Sequence, residues 1–303
     1  MAVITSPERI RREVQEAFAS IESDAIALHT DLPSVGFVRI GVPRQQQLAE
    51  VFQMLVEGSS GRTLLFPTFN YDFCRTRVYD PMADPCQVGV LNDYVLRLHP
   101  NERTLTPVFN FCIYNNHAYS LEPSENPLSR TSTFGELVVR RASVAFFGAF
   151  VGNTFLHHIE DLMEVGYRYV KPFPGVIHRD GADRQIALRY RVRPLVQGMG
   201  DYDIERMARD LFDARILHQA PLGNGKLFWF RADRMVEYSC MRVKEDELYL
   251  LAPASKKKVQ ELYARYGKPL RFEAIEPLSH LACRATMGNP MDEHEVIARR
   301  EPA

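Results

Sequence analysis

The chain predicts an α/β fold, a three-layer α/β/α sandwich with a central mixed sheet, and three observations carry that expectation. Short apolar runs of strand character alternate with longer segments of helical periodicity, which is the rhythm of α/β units. Apolar residues make up 46% of the 303 positions, enough for a full-sized core and incompatible with disorder. No internal repeat, low-complexity tract or linker divides the sequence. Residues 1–290 are therefore expected to form one domain, and 291–303 a polar tail.

The first helix opens at Ser6-Pro7-Glu8, a hydroxyl cap followed by proline and an acid, and Ile10, Val14, Ala17, Phe18 and Ile21 then share one face. Ala25 to His29 reads as a buried strand ending in the loop Thr30–Gly36, whose Pro33 and Gly36 break the pattern. A second helix fits Arg44 to Val56, closed by Gly58, and a strand fits Thr63 to Phe66, stopped at Pro67. Asn70 to Gly89 has no periodicity, a length typical of functional loops. A helix is expected over Val90–Leu98, then strand-like stretches at Arg103–Thr106 and Val108–Ile113, and a loop from Pro123 to Ser132. Phe134–Arg140 suggests a short helix, Val144–Phe147 a buried strand, and Phe155–Met163 a helix that Asn153 or Thr154 would cap. Beyond it, Ile177–Arg193 resembles a hairpin about Asp180-Gly181. Helices follow at Ile204–Phe212 and Ala254–Tyr266, with a strand at Lys226–Phe230.

Composition excludes several classes of function. With 37 basic and 38 acidic side chains, the net charge of −1 offers no footprint for nucleic acid or an anionic membrane. No apolar run approaches the roughly 20 residues of a membrane span. The first residues lack the layout of a secretory signal, so a cytoplasmic location is expected. Five widely spaced cysteines without a C-x-x-C suggest neither a disulfide framework nor a structural zinc site. There is no H-E-x-x-H, G-x-S-x-G or phosphate-binding glycine loop; Gly223-Asn224-Gly225 reads as a turn.

The strongest candidate for chemistry is Asn153-Thr154-Phe155-Leu156-His157-His158-Ile159-Glu160, at a strand-to-helix junction. Residues three apart on a helix share a face, so His157 and Glu160 can point together, the carboxylate orienting an imidazole general base. The free N–H groups of the helix start suit a developing oxyanion or a phosphate. A bland alternative places one histidine at the surface and the other in the core. His29 ends a strand where α/β ligand sites gather, though on spacing alone it reads more readily as a hydrogen-bonded core residue. Thr68 stands at the corresponding end of the next strand and doubles as a turn hydroxyl. Tyr71, Asp72 and Tyr79 are placed to line a pocket. Asp201 and Asp203 read as surface acids, with a role at an acceptor site left open.

In order along the chain, the segments Leu28–Gly36, Leu65–Tyr71, Val88–Leu91, Arg103–Pro107 and Asn153–Glu160 resemble the aminoglycoside 3-N-acetyltransferase family, across about residues 20 to 235. The resemblance implies acetyl transfer from acetyl-CoA to a primary amine on a sugar. On matching positions, His157 looks like the general base and Glu160 like a carboxylate that binds the cationic substrate and polarises the site. His29, Asp31, Ser34, Val35 and Gly36, with Thr68, look like the cradle for pantetheine and pyrophosphate. Tyr71, Asp72, Asn153 and Thr154 fall on the substrate side. Members active on antibiotics usually carry His where this chain has Thr106, and a small hydroxyl residue where it has Phe155. Gly166–Lys171 is similar to members associated with bacterial surface-polysaccharide synthesis. An amino sugar, free or nucleotide-linked, or else an aminoglycoside is thus the expected acceptor, with homo-oligomerisation left open. Two other readings remain: a metal-dependent hydrolase using His29, His157 and Glu160, and a non-catalytic binding protein on the same fold.

Overall fold

The computed structural model describes residues 6–37, 41–150 and 153–277; the expected polar tail at 291–303 lies outside them. Helix α1 (Pro7–Ala19) starts as its sequence predicts, with the Ser6 hydroxyl accepting from Arg9 N at 3.2 Å. Strand β1 (Ala25–Thr30) and a 3₁₀ turn at Pro33–Val35 follow. Helix α2 (Arg44–Ser59) runs through Gly58 instead of stopping there. A Cβ at Gly58 would lie 2.9 Å from the Val14 side chain, so this glycine serves the close approach of α1 and α2. Strand β2 (Thr63–Pro67) is followed by the long aromatic segment, which contains one helical turn, α3 (Phe73–Thr76), and a short strand, β3 (Val78–Tyr79). Helix α4 (Val90–Leu98) has the expected bounds.

The two strand-like stretches expected at 103–113 reduce to β4 (Phe111–Tyr114). Arg103 makes only an isolated bridge to Cys112, and Val108 takes a φ of 70°, a left-handed geometry that interrupts the extended chain. Then come α5 (Thr133–Val139), β5 (Ser143–Gly148) and α6 (Phe155–Leu162). The hairpin is longer than its sequence suggests: β6 (Tyr169–Arg179) and β7 (Ala182–Val192) meet at Asp180-Gly181, both with positive φ (54° and 74°). Helix α7 (Ile204–Asp213), β8 (His218–Leu222), β9 (Gly225–Arg231), α8 (Ala232–Glu245) and α9 (Pro253–Tyr266) complete the order. The sequence pattern announces neither the alternation-poor β8 nor the charge-rich α8.

The central sheet has the order β4-β2-β1-β5-β9-β8. Strand β1 runs parallel to β2 and β5, whereas β4, β9 and β8 pair antiparallel with their neighbours, giving a mixed sheet. Alternate side chains feed two cores. Ile26, Leu28, Leu64, Phe66, Ala145 and Phe147 pack under α1, α2 and α4. Ala27, Leu65, Val144, Phe146 and Phe230 pack with α5, α6 and α8, in a cluster that continues to the separate sheet β3-β6-β7. Helices therefore cover both faces. The carboxyl ends of β1, β2 and β5 lie along one edge, the position at which open α/β sheets bind ligands.

Candidate active site

At that edge β5 stops on Gly148, whose φ is 118°. A Cβ there would fall 2.4 Å from the Asp31 carbonyl oxygen, so only glycine lets the turn after β1 come this close. The same turn is gripped from the other side by the β8–β9 corner. Asn224 N donates to Val35 O at 3.1 Å, and a Cβ at Gly223 would stand 2.1 Å from that oxygen. Asp31 accepts a hydrogen bond from the Ser34 hydroxyl, and Gly36 closes the turn with a φ of 72°. Val35 is fully buried and takes part through its backbone. His29 stacks on Phe146 at 5.0 Å, and burial pushes its ring down to about 4, so it is neutral. The Thr30 hydroxyl next to it is buried without a partner among the described residues.

Helix α6 carries His157 and Glu160 one turn apart on one face, as the spacing predicts. Glu160 is fully buried, and 19% of the His157 side chain is exposed. Around them gather three residues to which the sequence gives no role. Tyr167 donates to Glu160 Oε1 at 2.9 Å, Arg168 Nε lies 2.7 Å from Oε2, and Tyr202 donates to Oε2 at 2.6 Å. Arg168 also donates to the Tyr202 hydroxyl at 3.1 Å and lies near the Arg191 carbonyl at 3.4 Å. Burial alone would raise the Glu160 carboxyl, but the Arg168 charge and the His157 and Tyr202 bonds hold it down at about 2. It is a carboxylate.

That charge bears on the histidine tautomer. An ionised Glu160 can only accept, so the single Tyr202 proton goes to it. The Tyr202 oxygen, 2.7 Å from His157 Nδ1, then accepts, as does Glu160 Oε2 at 3.1 Å. We assign the proton to Nδ1 on this basis. Arg168 Nη2, 3.0 Å from Nδ1, acts there through its charge. Burial first, and then Arg168, lower the His157 pKa, so the ring is neutral with Nε2 as its lone pair. No protein group among the described residues bonds Nε2.

Several expected site residues stand elsewhere. Thr68 is fully buried and donates to Asn110 Oδ1 at 2.9 Å, while its carbonyl accepts from Arg103 at 2.7 Å. It braces the loop and offers nothing to a ligand. Tyr79 is likewise buried, its hydroxyl bonded to Thr104 O at 2.9 Å. Tyr71 reaches the site indirectly: its ring meets Phe109 at 6.2 Å, and Phe109 meets His157 at 6.2 Å. Asp72 is engaged with Gln87 at 2.9 Å and Arg75 at 3.3 Å. His158 is the core histidine, bonded to Leu128 O at 2.6 Å. Phe155 packs against Phe134 and Phe230, and Thr106 accepts from Ser124 N at 3.0 Å.

Asn153 and Thr154 supply carbonyls that start α6, accepting from Leu156 N at 3.1 Å and His157 N at 3.0 Å. The Asn153 side chain caps nothing. It is 4% exposed, and neither its oxygen nor its nitrogen has a partner among the described residues. A buried amide left unpaired costs about 1–3 kcal/mol, so this group is poised for something the chain itself does not supply. Glu160, by contrast, is too buried and too fully bonded to bind an ammonium; it orients His157 instead. Among the described residues no three His, Cys, Asp or Glu side chains converge as metal ligands, so a shared ion on His29, His157 and Glu160 has no geometric support.

Comparison with solved structures returns several aminoglycoside acetyltransferases among others. A histidine-to-alanine variant of aminoglycoside acetyltransferase AAC(3)-IVa, in complex with a gentamicin, superposes with a TM-score of 0.63 at 19% identity, over 85% of this chain and 95% of that one. Aminoglycoside acetyltransferase AAC(3)-IIb gives 0.61 at 17%, over 82% and 99%. The YokD protein from Bacillus subtilis gives 0.58 at 15%, over 78% and 94%. At such identities these likenesses speak to the fold. No curated protein sequence matches the chain. The family model described as aminoglycoside 3-N-acetyltransferase matches residues 28–243, well over half of the sequence. The chain belongs to the aminoglycoside 3-N-acetyltransferase family and is an acyltransferase.

Proposed function

We propose that the protein transfers an acetyl group from acetyl-CoA to the primary amine of an amino sugar, with His157 as general base. The observation that carries this reading is the placing of the ring: Nδ1 lies 2.7 Å from the Tyr202 hydroxyl and 3.1 Å from Glu160 Oε2, and no protein group among the described residues bonds Nε2. The amine nitrogen attacks the thioester carbonyl carbon and sheds a proton to Nε2 as the N–C bond forms. The C–S bond then breaks, and the departing thiolate takes up the proton, so the products are the amide and the free thiol. Direct attack needs no enzyme nucleophile. Glu160 keeps the ring oriented and stabilises the imidazolium that forms.

The turn from His29 to Gly36, held by Gly148 and the β8–β9 corner, is suited to pantetheine and pyrophosphate, since its backbone is fixed before any ligand arrives. The Thr30 hydroxyl, at the end of β1, and the Asn153 amide, at the start of α6, are both without a partner among the described residues. Asn153 Nδ2 would donate to the thioester oxygen as charge develops on it. The test is calorimetric titration of acetyl-CoA, followed by thiol release with a panel of amino sugars and aminoglycosides. Binding followed by amine-dependent release supports acetyl transfer. Absence of binding refutes it.

A further inference from the structure

Once the His157–Glu160–Arg168–Tyr202 network is assembled, one charge beside it is left over, and it is positive. The Glu160 carboxylate is neutralised by Arg168 within 2.7 Å and by three further bonds, which leaves it nothing for an ammonium. Nearby acids are also committed or turned away. Asp203 caps α7 and pairs with Arg206 at 3.1 Å. Asp201 is exposed, its backbone fixed to Ser255 and Ala252. Arg193, immediately after β7, is different. It is half-buried and has no hydrogen bond or ion pair among the described residues, and its guanidinium packs on Gly200, where a Cβ would stand 1.8 Å from Nη1. Gly200 is two residues from Tyr202, whose hydroxyl touches His157. Arg193 is also close enough for its charge to oppose protonation of the His157 ring.

We infer that Arg193 forms an anion-recognising subsite for the acceptor, so that the amine presented to His157 belongs to a molecule that also carries a phosphate or carboxylate. This deepens the acetyl-transfer reading and rests on it. A guanidinium is a planar fork of donors that matches either anion, and holding one without a protein partner beside a base is costly unless a ligand completes it. Position favours the acceptor over the phosphates of acetyl-CoA. The turn expected to hold acetyl-CoA is gripped by Gly148 and the β8–β9 corner, whereas Arg193 lies at the end of β7 beside Tyr202. A polycationic acceptor would meet an uncompensated positive charge here.

The experiment compares an amino sugar, its phosphate ester and an aminoglycoside as acceptors for the wild type, Arg193→Ala and Arg193→Lys, with KM taken separately for acceptor and acetyl-CoA. The expected result is a lower KM for the phosphate ester than for the parent sugar. In Arg193→Ala that KM rises about 10- to 100-fold, in Arg193→Lys less, and the acetyl-CoA KM shifts far less than either. An equal or greater preference for the polycation overturns the inference, as does a rise confined to the acetyl-CoA KM, which would assign Arg193 to the cofactor phosphates. If no amine is acetylated, the transfer reading fails on its own. Calorimetric binding of the phosphate ester still decides the subsite, with weaker binding by Arg193→Ala supporting it and equal binding overturning it.

Discussion

Replacing Arg168 with methionine removes one half of the buried ion pair and leaves the other half in place. Glu160 is fully buried, 6% of the Arg168 side chain is exposed, and Nε and Oε2 are 2.7 Å apart, so water cannot take over the lost charge. Breaking such a pair costs about 3–5 kcal/mol. For a chain of this size each kcal/mol lowers Tm by roughly 2–4 °C, so a fall of about 6–20 °C is expected. Removing the charge that opposes protonation of His157 also raises that ring's pKa, so the imidazolium persists to higher pH than in the wild type. Thermal unfolding measures the first effect, and NMR titration of the His157 ring the second. The companion Arg168→Met/Glu160→Gln removes the stranded carboxylate and recovers much of the lost stability. If Arg168→Met melts within about 2 °C of the wild type and His157 titrates unchanged, the network is not organised by this charge.

Gly148→Ala drives a Cβ to 2.4 Å from Asp31 O and imposes strain at a φ of 118°. It should cost about 1–3 kcal/mol in denaturant melts and weaken acetyl-CoA binding in calorimetry. Arg103 is 1% exposed and donates to Asn110 Oδ1, Thr68 O and Asp84 O at 2.9, 2.7 and 2.6 Å. Arg103→Ala strands these acceptors, so a loss of about 3–5 kcal/mol and faster proteolysis within residues 70–89 are expected. Glu160 is held down at about 2 when folded, against an ordinary value of 4.5. Its contribution is therefore complete above about pH 4.5 and lost as pH falls towards 2. Acid unfolding of Glu160→Gln should lack that portion of the pH dependence.

The sequence exposed the architecture where local signals agree with tertiary ones. Ser6-Pro7 marks α1, Asp180-Gly181 marks the hairpin, and the alternation of strand and helix marks the sheet. It concealed β6, where Pro172, Pro174 and Gly175 disguise an extended arm, and β8, whose edge position leaves most of its side chains outside the core. Gly58 reads as a helix stop but is a packing glycine, a distinction that depends on Val14 of another helix. In the site, His157 and Glu160 were legible because their spacing is local. Arg168 was visible only as part of a segment similar to other family members. Nothing local points to Tyr202, which reaches Glu160 across 42 positions. Thr68 and Tyr79 sit at pocket-like places in the sequence, yet the fold spends their hydroxyls on Asn110 and Thr104.

The most direct test of His157 as the base is single-turnover acetyl transfer by the wild type and His157→Ala, with and without added imidazole. The account predicts a fall of about 10²- to 10⁴-fold in the variant, with acetyl-CoA still bound and with partial recovery of rate by imidazole. Transfer by His157→Ala within a few-fold of the wild type would contradict it.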